Sequence, residues 1–222
     1  MSRSEYIKAR KKAQKTYRAH LFKGTYPYLQ ALDDMVSFSE IISEVDLGLI
    51  EIPLDAVVGT KTAGRKQAFA GNFMPLLDDN SEFARKWAAL YDAHIEEGIR
   101  DPIKAVEYMN HFYVVEGNKR VSVLKYVDAV SIQANVTRMI PRRNDSLENK
   151  IYFEFLDFYQ ATAINYLNFS QEGCYTRLLT ALGKTLDSAW TDDEKMNLHS
   201  SYIHFLEVYE EKGGRKLSLT AG

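Results

Sequence analysis

Apolar and polar residues follow three different patterns along the chain. Over about residues 1–45, apolar residues recur at helical intervals. Over about 46–141, short apolar runs typical of strands mix with helical segments, and helical spacing returns over about 142–222. This mixture predicts an α+β fold, with a small mixed sheet and helices at its centre, an N-terminal helical segment and a C-terminal all-helical region.

The central segment has the clearest local signals. A strand over about 49–54 ends at a proline, a helix covers about 81–98, and Met109-Asn110 makes a tight turn between two strands. A further strand covers 131–141. Residues 59–80 form a long, glycine-rich irregular stretch, and long loops of compact domains are often functional.

The N-terminal segment is predicted to contain three helices. The first is basic, covers residues 1–23 and ends where a glycine and a proline follow it. A second covers about 28–36. Ser37 with Glu40 three residues later resembles a capping box, which predicts that a short third helix begins there.

The C-terminal segment is predicted to be helical and rich in aromatic residues. The face of the helix at 151–159 is wide and aromatic, and such helical faces could join two copies of the chain in a homo-oligomer. Thr191–Glu194 is a capping box that opens the last helix, and Gly213-Gly214 ends it. The run 217–222 resembles the start of a new element, so we expect the native protein to continue.

Composition excludes several classes of protein. The chain has 222 residues, 28 basic against 30 acidic, and 45% hydrophobic residues, which is ordinary globular usage. A single cysteine, Cys174, excludes an internal disulfide framework and a multi-cysteine zinc site. No apolar run is long enough to cross a bilayer, and no secretory signal opens the chain. We therefore expect a cytoplasmic protein without a membrane partner.

The net charge of −2 hides an uneven distribution. Residues 1–23 carry eight basic side chains against Glu5 alone, a local charge of +7, so the remainder carries −9. A basic arm of this kind could contact DNA. The alternative is a helix docked on the acidic body, and a narrow apolar stripe favours it. The stripe consists of Tyr6, Ile7, Ala9, Ala13, Tyr17 and Leu21.

The candidate chemistry lies at Glu116–Arg120, where a strand is predicted to turn directly into a helix. Gly117 permits the sharp bend, and the N–H groups of the helix start form an anion site. Lys119 and Arg120 oppose the helix dipole there, so a phosphate or a carboxylate should compensate them. Glu116 could hold Mg²⁺ or activate a hydroxyl. In the structural alternative, Arg120 pairs with a carboxylate and fixes the helix on the sheet.

This part of the chain, roughly 48–141, resembles the ParB/sulfiredoxin-like family. Residues 50–57 are similar to the family's opening strand, Arg65 lies in a similar arginine-containing loop, and residues 112–124 resemble its signature, which contains G-x-x-R. The resemblance implies a nucleotide phosphate at the turn. It assigns the phosphate contacts to Arg65, Gly117, Asn118, Lys119 and Arg120.

Departures from the family pattern narrow the choice of activity. No cysteine stands between Gly117 and Arg120, which excludes sulfiredoxin chemistry. Partition proteins carry a second motif, E-N-x-x-R, and Glu148-Asn149 stands near its place without the arginine. Arg142 and Arg143 are further secondary candidates that could face a nucleotide or DNA. Kinase-like members carry an acid before the glycine, as Glu116 does here.

Three functions remain open after this comparison. The first is a nucleotide-binding regulatory or scaffold module that takes a nucleoside triphosphate with Mg²⁺ and hydrolyses it slowly. The second is a small-molecule phosphotransferase in which Glu116 is the base. The third is a DNA-associated regulator that contacts DNA through the basic helix at 1–23.

Overall fold

The computed structural model describes residues 2–212 of the chain. The chain divides into two compact units, residues 1–142 and residues 143–222. The first unit contains a sheet and four α-helices, and the described part of the second contains three α-helices. Among residues 2–212, no helix combines the length and the apolar character needed to cross a membrane.

The elements of the first unit alternate between helix and strand. Three short 3-10 turns, at Phe38–Glu40, Leu54–Ala56 and Ala63–Ala68, lie between them. The helices and strands, in chain order, are α1 (Ser2–Phe22), β1 (Gln30–Ala31), α2 (Leu32–Met35), β2 (Ile41–Pro53), β3 (Val57–Thr60), α3 (Glu82–Glu97), β4 (Ile103–Tyr108), β5 (His111–Glu116), α4 (Asn118–Tyr126) and β6 (Ser131–Pro141).

The six strands form one mixed sheet in the order β1-β3-β5-β4-β6-β2. β1 with β3, β3 with β5 and β4 with β6 are parallel pairs, whereas β4 with β5 and β2 with β6 are antiparallel. A mixed sheet accompanied by helices agrees with the predicted α+β class. This topology places the end of β5 in the middle of the sheet, next to β3 and β4.

The hairpin between β4 and β5 is confirmed at the predicted turn. Met109 and Asn110 both have positive φ, 53° and 61°, which matches the right-handed twist of the flanking strands. The N–H of Asn110 donates to the carboxylate of Glu107 at 2.7 Å, which fixes the turn. The strand predicted at 131–141 is also confirmed, as β6.

Helix α1 is part of the core of the first unit. Tyr6 and Trp87 are fully buried, and their rings meet edge to face with centroids 5.5 Å apart. The Tyr6 hydroxyl donates to the carbonyl of Leu77 at 2.8 Å. The Arg10 guanidinium lies 3.3 Å from the carboxylate of Asp79. The structure therefore shows the docked helix that the apolar stripe favours.

Two elements near the N-terminus differ from the sequence prediction. β2 begins at Ile41, eight residues before the predicted strand. It lies at the sheet edge, where its first half, including Ile42 and Val45, can remain exposed. The short helix predicted after Ser37 is a single 3-10 turn, Phe38–Glu40, and Ser37 caps it as predicted, since its hydroxyl accepts from the N–H of Ser39 at 3.4 Å. The stretch predicted as a second helix contains the short strand β1 and the single turn α2.

The second unit is helical in its described part, as predicted. It contains α5 (Leu147–Thr162), α6 (Cys174–Ala181) and α7 (Asp192–Glu211). The capping box of α7 is confirmed, because the N–H of Glu194 donates to the Thr191 hydroxyl at 3.2 Å and the N–H of Thr191 donates to the Glu194 carboxylate at 2.9 Å. The glycine pair at 213–214 and the run 217–222 lie outside the described residues.

Candidate functional site

A cleft of about 390 Å³ opens where β5 ends and α4 begins. All six residues of the primary predicted site contribute to its lining, so the fold brings Arg65 next to a motif more than fifty residues away. The lining residues are Arg65, Phe69, Phe83, Leu90, Val115, Glu116, Gly117, Asn118, Lys119 and Arg120. The lining contains three cationic side chains, those of Arg65, Lys119 and Arg120, together with apolar ones.

The turn between β5 and α4 requires glycine. Gly117 has φ 112°, a conformation that L side chains rarely adopt. A Cβ at this position would lie 2.5 Å from Cγ2 of Ile103, the first residue of β4. Gly117 therefore lets the chain pass close to the neighbouring strand and enter α4 without a gap.

The N-terminus of α4 is open to a ligand. No side chain caps its first turn, and the first N–H groups of a helix have no carbonyl partner within it. These groups and the positive end of the helix dipole attract anions. The residues that carry them, Asn118, Lys119 and Arg120, all line the cleft.

Lys119 is held in cationic surroundings. Burial lowers the pKa of its ammonium, and the neighbouring charges of Arg65 and Lys86 lower that pKa further, against a smaller opposite effect of Glu82. Its Nζ lies 4.8 Å from the centre of the Phe83 ring. The wall of the cleft thus has a local excess of positive charge, which a bound anion would relieve.

Arg120 has a structural contact that the sequence did not predict. Its Nη1 donates to the backbone carbonyls of Asp101 at 3.0 Å and Pro102 at 2.5 Å, in the loop before β4. Carbonyls thus take the place of the carboxylate that the structural alternative predicted, and that detail was wrong. The Nε and Nη2 groups donate to no other residue in 2–212, so they can still donate to a ligand.

Asn118 provides an unpaired acceptor at the same helix start. Its Nδ2 donates to the hydroxyl of Thr60 at 3.3 Å, and that hydroxyl donates to the carbonyl of Val114 at 3.0 Å. Its Oδ1 is buried and has no hydrogen-bond partner among the described residues. A buried polar atom without a partner is unusual in a native fold, and a ligand, an ion or a water molecule would satisfy it.

The apolar side of the cleft continues into a second cleft. Phe69 and Phe83 meet edge to face with centroids 5.4 Å apart. Beyond them, a cleft of about 520 Å³ runs along the 3-10 turn Ala63–Ala68 and ends near Leu77. The two clefts share Arg65 and Phe83, so one elongated ligand could occupy both.

Glu116 lies at the exposed mouth of the first cleft. Its carboxylate is 3.1 Å from Nζ of Lys104 on β4. Oxygen atoms are the ligands that Mg²⁺ prefers, and the carboxylate of Glu116 and the Oδ1 of Asn118 are the two oxygens of the motif suited to that ion. In residues 2–212, no three His, Cys, Asp or Glu side chains are grouped as a metal site.

The secondary candidates have other positions. Arg142 follows β6 and is not one of the residues that line the cleft. The other three belong to the second unit: Arg143 has its guanidinium 3.9 Å from the Phe153 ring centre, and the buried Asn149 accepts from the N–H of Asn144 at 3.0 Å. Glu148 lies in the exposed first turn of α5. These contacts are local ones, and a role in binding stays a prediction for all four.

Comparison with known proteins identifies no family. No family model matches the chain, and no curated protein is similar to it. A solved structure of sulfiredoxin from Arabidopsis thaliana is similar at 17% identity, over 40% of this chain and 82% of that one, with a TM-score of 0.28. A TM-score this low carries no weight for fold or function, so the site is interpreted from its own geometry.

Several lining residues were not predicted as part of the site. Phe83 and Leu90 recur at helical spacing in α3, which predicts core residues and gives no sign of a cleft. Thr60, which orients Asn118, ends a short strand 58 residues earlier in the chain. No local pattern links Thr60 to Asn118, because the parallel pairing of β3 with β5 is what brings them together.

Proposed function

We propose that this protein is a nucleotide-binding module that seats a nucleoside phosphate in the cleft at Gly117–Arg120. The observation that carries the proposal is the convergence of Arg65, Lys119 and Arg120 on an uncapped helix N-terminus. Cations at a helix start are repelled by the positive end of the helix dipole. A bound phosphate would compensate the charge of the cations and the positive end of the dipole together. Membership of the ParB/sulfiredoxin-like family is part of this proposal and rests on the sequence motif.

The apolar wall supports a nucleoside rather than a free phosphate. Val115, which is 49% exposed, and the partly buried Leu90 offer an apolar surface for a sugar and a base beside the edge of Phe83, and the adjoining cleft along Ala63–Ala68 extends it. The volumes of about 390 and 520 Å³ are within the range of small-molecule sites. Mg²⁺ accompanies nucleoside triphosphates, and Glu116 and Asn118 are the residues that would meet it.

A second candidate is phosphotransfer to a small molecule with Glu116 as general base. It is supported by the position of Glu116 in the lining of the same cleft, next to the phosphate-binding residues. Binding without turnover, or with slow hydrolysis only, would correspond to a regulatory or scaffold module. Turnover that requires an acceptor hydroxyl and is lost in Glu116→Gln would establish the transferase instead.

The test of binding is a thermal-shift screen with Mg²⁺ and nucleoside tri-, di- and monophosphates of the four common bases. A ligand at 100 times its Kd stabilises the folded chain by about 2.7 kcal/mol, which raises Tm by several degrees. We expect a shift with at least one triphosphate and a reduced shift in Arg65→Gln. Arg65 is exposed, so this change should leave the fold intact.

Arg85→Gln is the matched control, because Arg85 is exposed on α3 and does not line the cleft. It removes one arginine from the same unit and should leave the nucleotide shift unchanged. Arg120→Ala is a poorer choice, since it also removes the contacts to Asp101 and Pro102. No shift with any nucleotide, or an equal loss in both arginine variants, would contradict the proposal.

A further inference from the structure

The positive charge of α1 is divided into a paired half and an unpaired half. In the first half, Lys8 lies 2.7 Å from Glu5, Arg10 lies 3.3 Å from Asp79, and Arg3 donates to the side chain of Asn80 at 2.6 Å. In the second half, Lys11, Lys15 and Arg18, and Lys23 directly after the helix, have no ion pair with any residue in 2–212. The ion pairs thus lie only at the beginning of the helix.

The unpaired half borders a groove of about 410 Å³. Lys12, Lys15 and Lys23 line it together with His20, and Asn72 forms the facing wall. The Asn72 Nδ2 donates to the Thr16 hydroxyl at 3.0 Å, which holds that wall against the helix. Three lysines therefore line one concave surface, and the Nζ of Lys12 also lies 4.7 Å from the centre of the Tyr126 ring. This surface shares no lining residue with the cleft at Gly117.

The length of this groove fits a chain of phosphates better than a single one. Lys23 directly follows α1, and at 1.5 Å per residue the distance along the axis from Lys12 to Lys23 is about 16 Å. This length exceeds the span of a single phosphate group, so several phosphates of one strand can lie along it. Lysines placed along such a line repel one another until an extended anion compensates them.

Two exposed aromatic residues lie close in sequence to Lys23, which lines the groove. Phe22, next to Lys23, is 95% exposed, and Tyr26 is 45% exposed. Bases of a single strand stack on such rings, whereas the faces of bases in a duplex are already covered by their neighbours. Lysines that follow a backbone, with aromatic rings beside them, are the combination that single strands require.

We propose that the groove of Lys12, Lys15 and Lys23, together with the exposed ring of Phe22 next to Lys23 in the sequence, binds single-stranded nucleic acid. The lysines contact the phosphates, and Phe22 stacks on a base. This site is separate from the nucleotide cleft, and its failure or success would leave the proposal for that cleft unchanged.

The first test measures fluorescence anisotropy of a labelled 20-nucleotide oligothymidylate with the full chain. We expect Lys15→Gln/Lys23→Gln to weaken binding about tenfold at low salt and to reduce the slope of log K against log salt by about 1.4, since each phosphate contact of a single strand contributes about 0.7. The control Lys150→Gln/Lys195→Gln removes two lysines from the second unit and should change neither quantity.

The second test separates stacking from charge. Phe22→Ala should weaken binding of the oligonucleotide by about fivefold or more and leave binding of a duplex of the same length unchanged. Phe38→Ala is the matched control, because Phe38 is 84% exposed but lies in the 3-10 turn before β2. It should change neither affinity.

Three results would overturn the proposal. The first is oligonucleotide binding that the Lys15/Lys23 double variant retains in full. The second is equal affinity for the single-stranded oligonucleotide and the duplex, with neither affinity changed by Phe22→Ala. The third is binding to vesicles that contain 30% phosphatidylserine at a salt concentration at which the oligonucleotide does not bind, which would assign the surface to a membrane.

Discussion

The ammonium of Lys119 lies 4.8 Å from the centre of the Phe83 ring, on the wall of the candidate cleft. This contact joins the first turn of α4 to the first turn of α3. The ring attracts the cation, but burial and the charges of Arg65 and Lys86 lower the pKa of the ammonium. The fold therefore holds Lys119 where its protonated form is disfavoured. Residues with a pKa shifted in this way are common at functional sites, as expected of a binding residue.

Lys119→Met should abolish or strongly reduce the nucleotide shift without loss of stability. A lowered lysine pKa means that the protonated form is disfavoured in the fold. At pH 7, removal of the ammonium should raise the free energy of unfolding, because the fold no longer has to hold a disfavoured charge. The loss of the contact to Phe83 should lower the free energy of unfolding and offset that increase. Because much of the side chain is exposed, solvent screens both effects, and we expect the free energy of unfolding to change by less than about 0.5 kcal/mol.

Chemical denaturation with and without nucleotide would check this prediction. Lys86→Met is the control, since Lys86 pairs with Glu82 on the surface of α3 and does not line the cleft. A Lys119→Met variant that loses 2 kcal/mol of stability would instead identify Lys119 as a structural residue.

Gly117→Ala should destabilise the first unit by about 2–4 kcal/mol. Part of the cost is the positive φ of 112°, and the rest is the contact of the new Cβ with Cγ2 of Ile103 at 2.5 Å. Gly24→Ala separates the two terms, because Gly24 has φ 67° and no atom within 4 Å of the new Cβ. We expect Gly24→Ala to lower the free energy of unfolding by about 1 kcal/mol, with both glycine variants measured by urea titration. Equal losses in the free energy of unfolding for Gly117→Ala and Gly24→Ala would show that Ile103 shifts enough to remove the close contact with the new Cβ.

Ser122→Ala should destabilise the first unit although it removes only one oxygen atom. The Trp87 indole N–H donates to the Ser122 hydroxyl at 2.8 Å, and both side chains are fully buried. Without its partner the indole N–H is left buried and unpaired, at a cost of about 1–3 kcal/mol. A double-mutant cycle with Trp87→Phe measures the coupling. A coupling energy near zero would contradict a direct hydrogen bond.

The stability of the first unit at low pH should depend on the carboxylate of Glu5. The hydrogen bonds from the Lys8 ammonium and then from the Tyr126 hydroxyl lower the pKa of the Glu5 carboxyl below its usual 4.5. A lowered carboxyl pKa contributes stability that is present above the unfolded pKa and is lost as the pH falls through the folded pKa.

Glu5→Gln should therefore make the urea midpoint less sensitive to pH below about 4.5 and leave the slope above pH 6 unchanged. Glu96→Gln is the control, because Glu96 is exposed on α3 and has no ion pair with any residue in 2–212. A urea midpoint that falls more steeply with decreasing pH in Glu5→Gln than in the unchanged chain would contradict this prediction.

The sequence predicted elements whose signals are local. The turn at Met109-Asn110 and the bounds of β6 follow from residues adjacent in the chain, and so does the capping box of α7. The bend at Gly117 is local as well. The G-x-x-R motif therefore marked the place of the cleft, although no nearby residue indicates what forms the opposite wall.

The remaining features depend on contacts distant in sequence. The first half of β2 mixes exposed apolar and polar residues, which a sheet edge tolerates, so no alternation of buried and exposed residues revealed the strand. β3 is only four residues long and forms through β1 and β5. Phe83 looked like an ordinary core residue of α3, since helical spacing cannot distinguish a buried ring from one that lines a cleft.

The closure of the first core by α1 has a consequence for biosynthesis. Tyr6 packs on Trp87, and Glu5 accepts a hydrogen bond from Tyr126, 121 residues further along. At about 5–20 residues per second, a ribosome needs roughly 6–24 s to add those residues. The helix α1 is thus made well before its partners, because Trp87 follows Tyr6 by 81 residues and Tyr126 follows Glu5 by 121. We therefore expect this unit to fold only after α4 has left the ribosome.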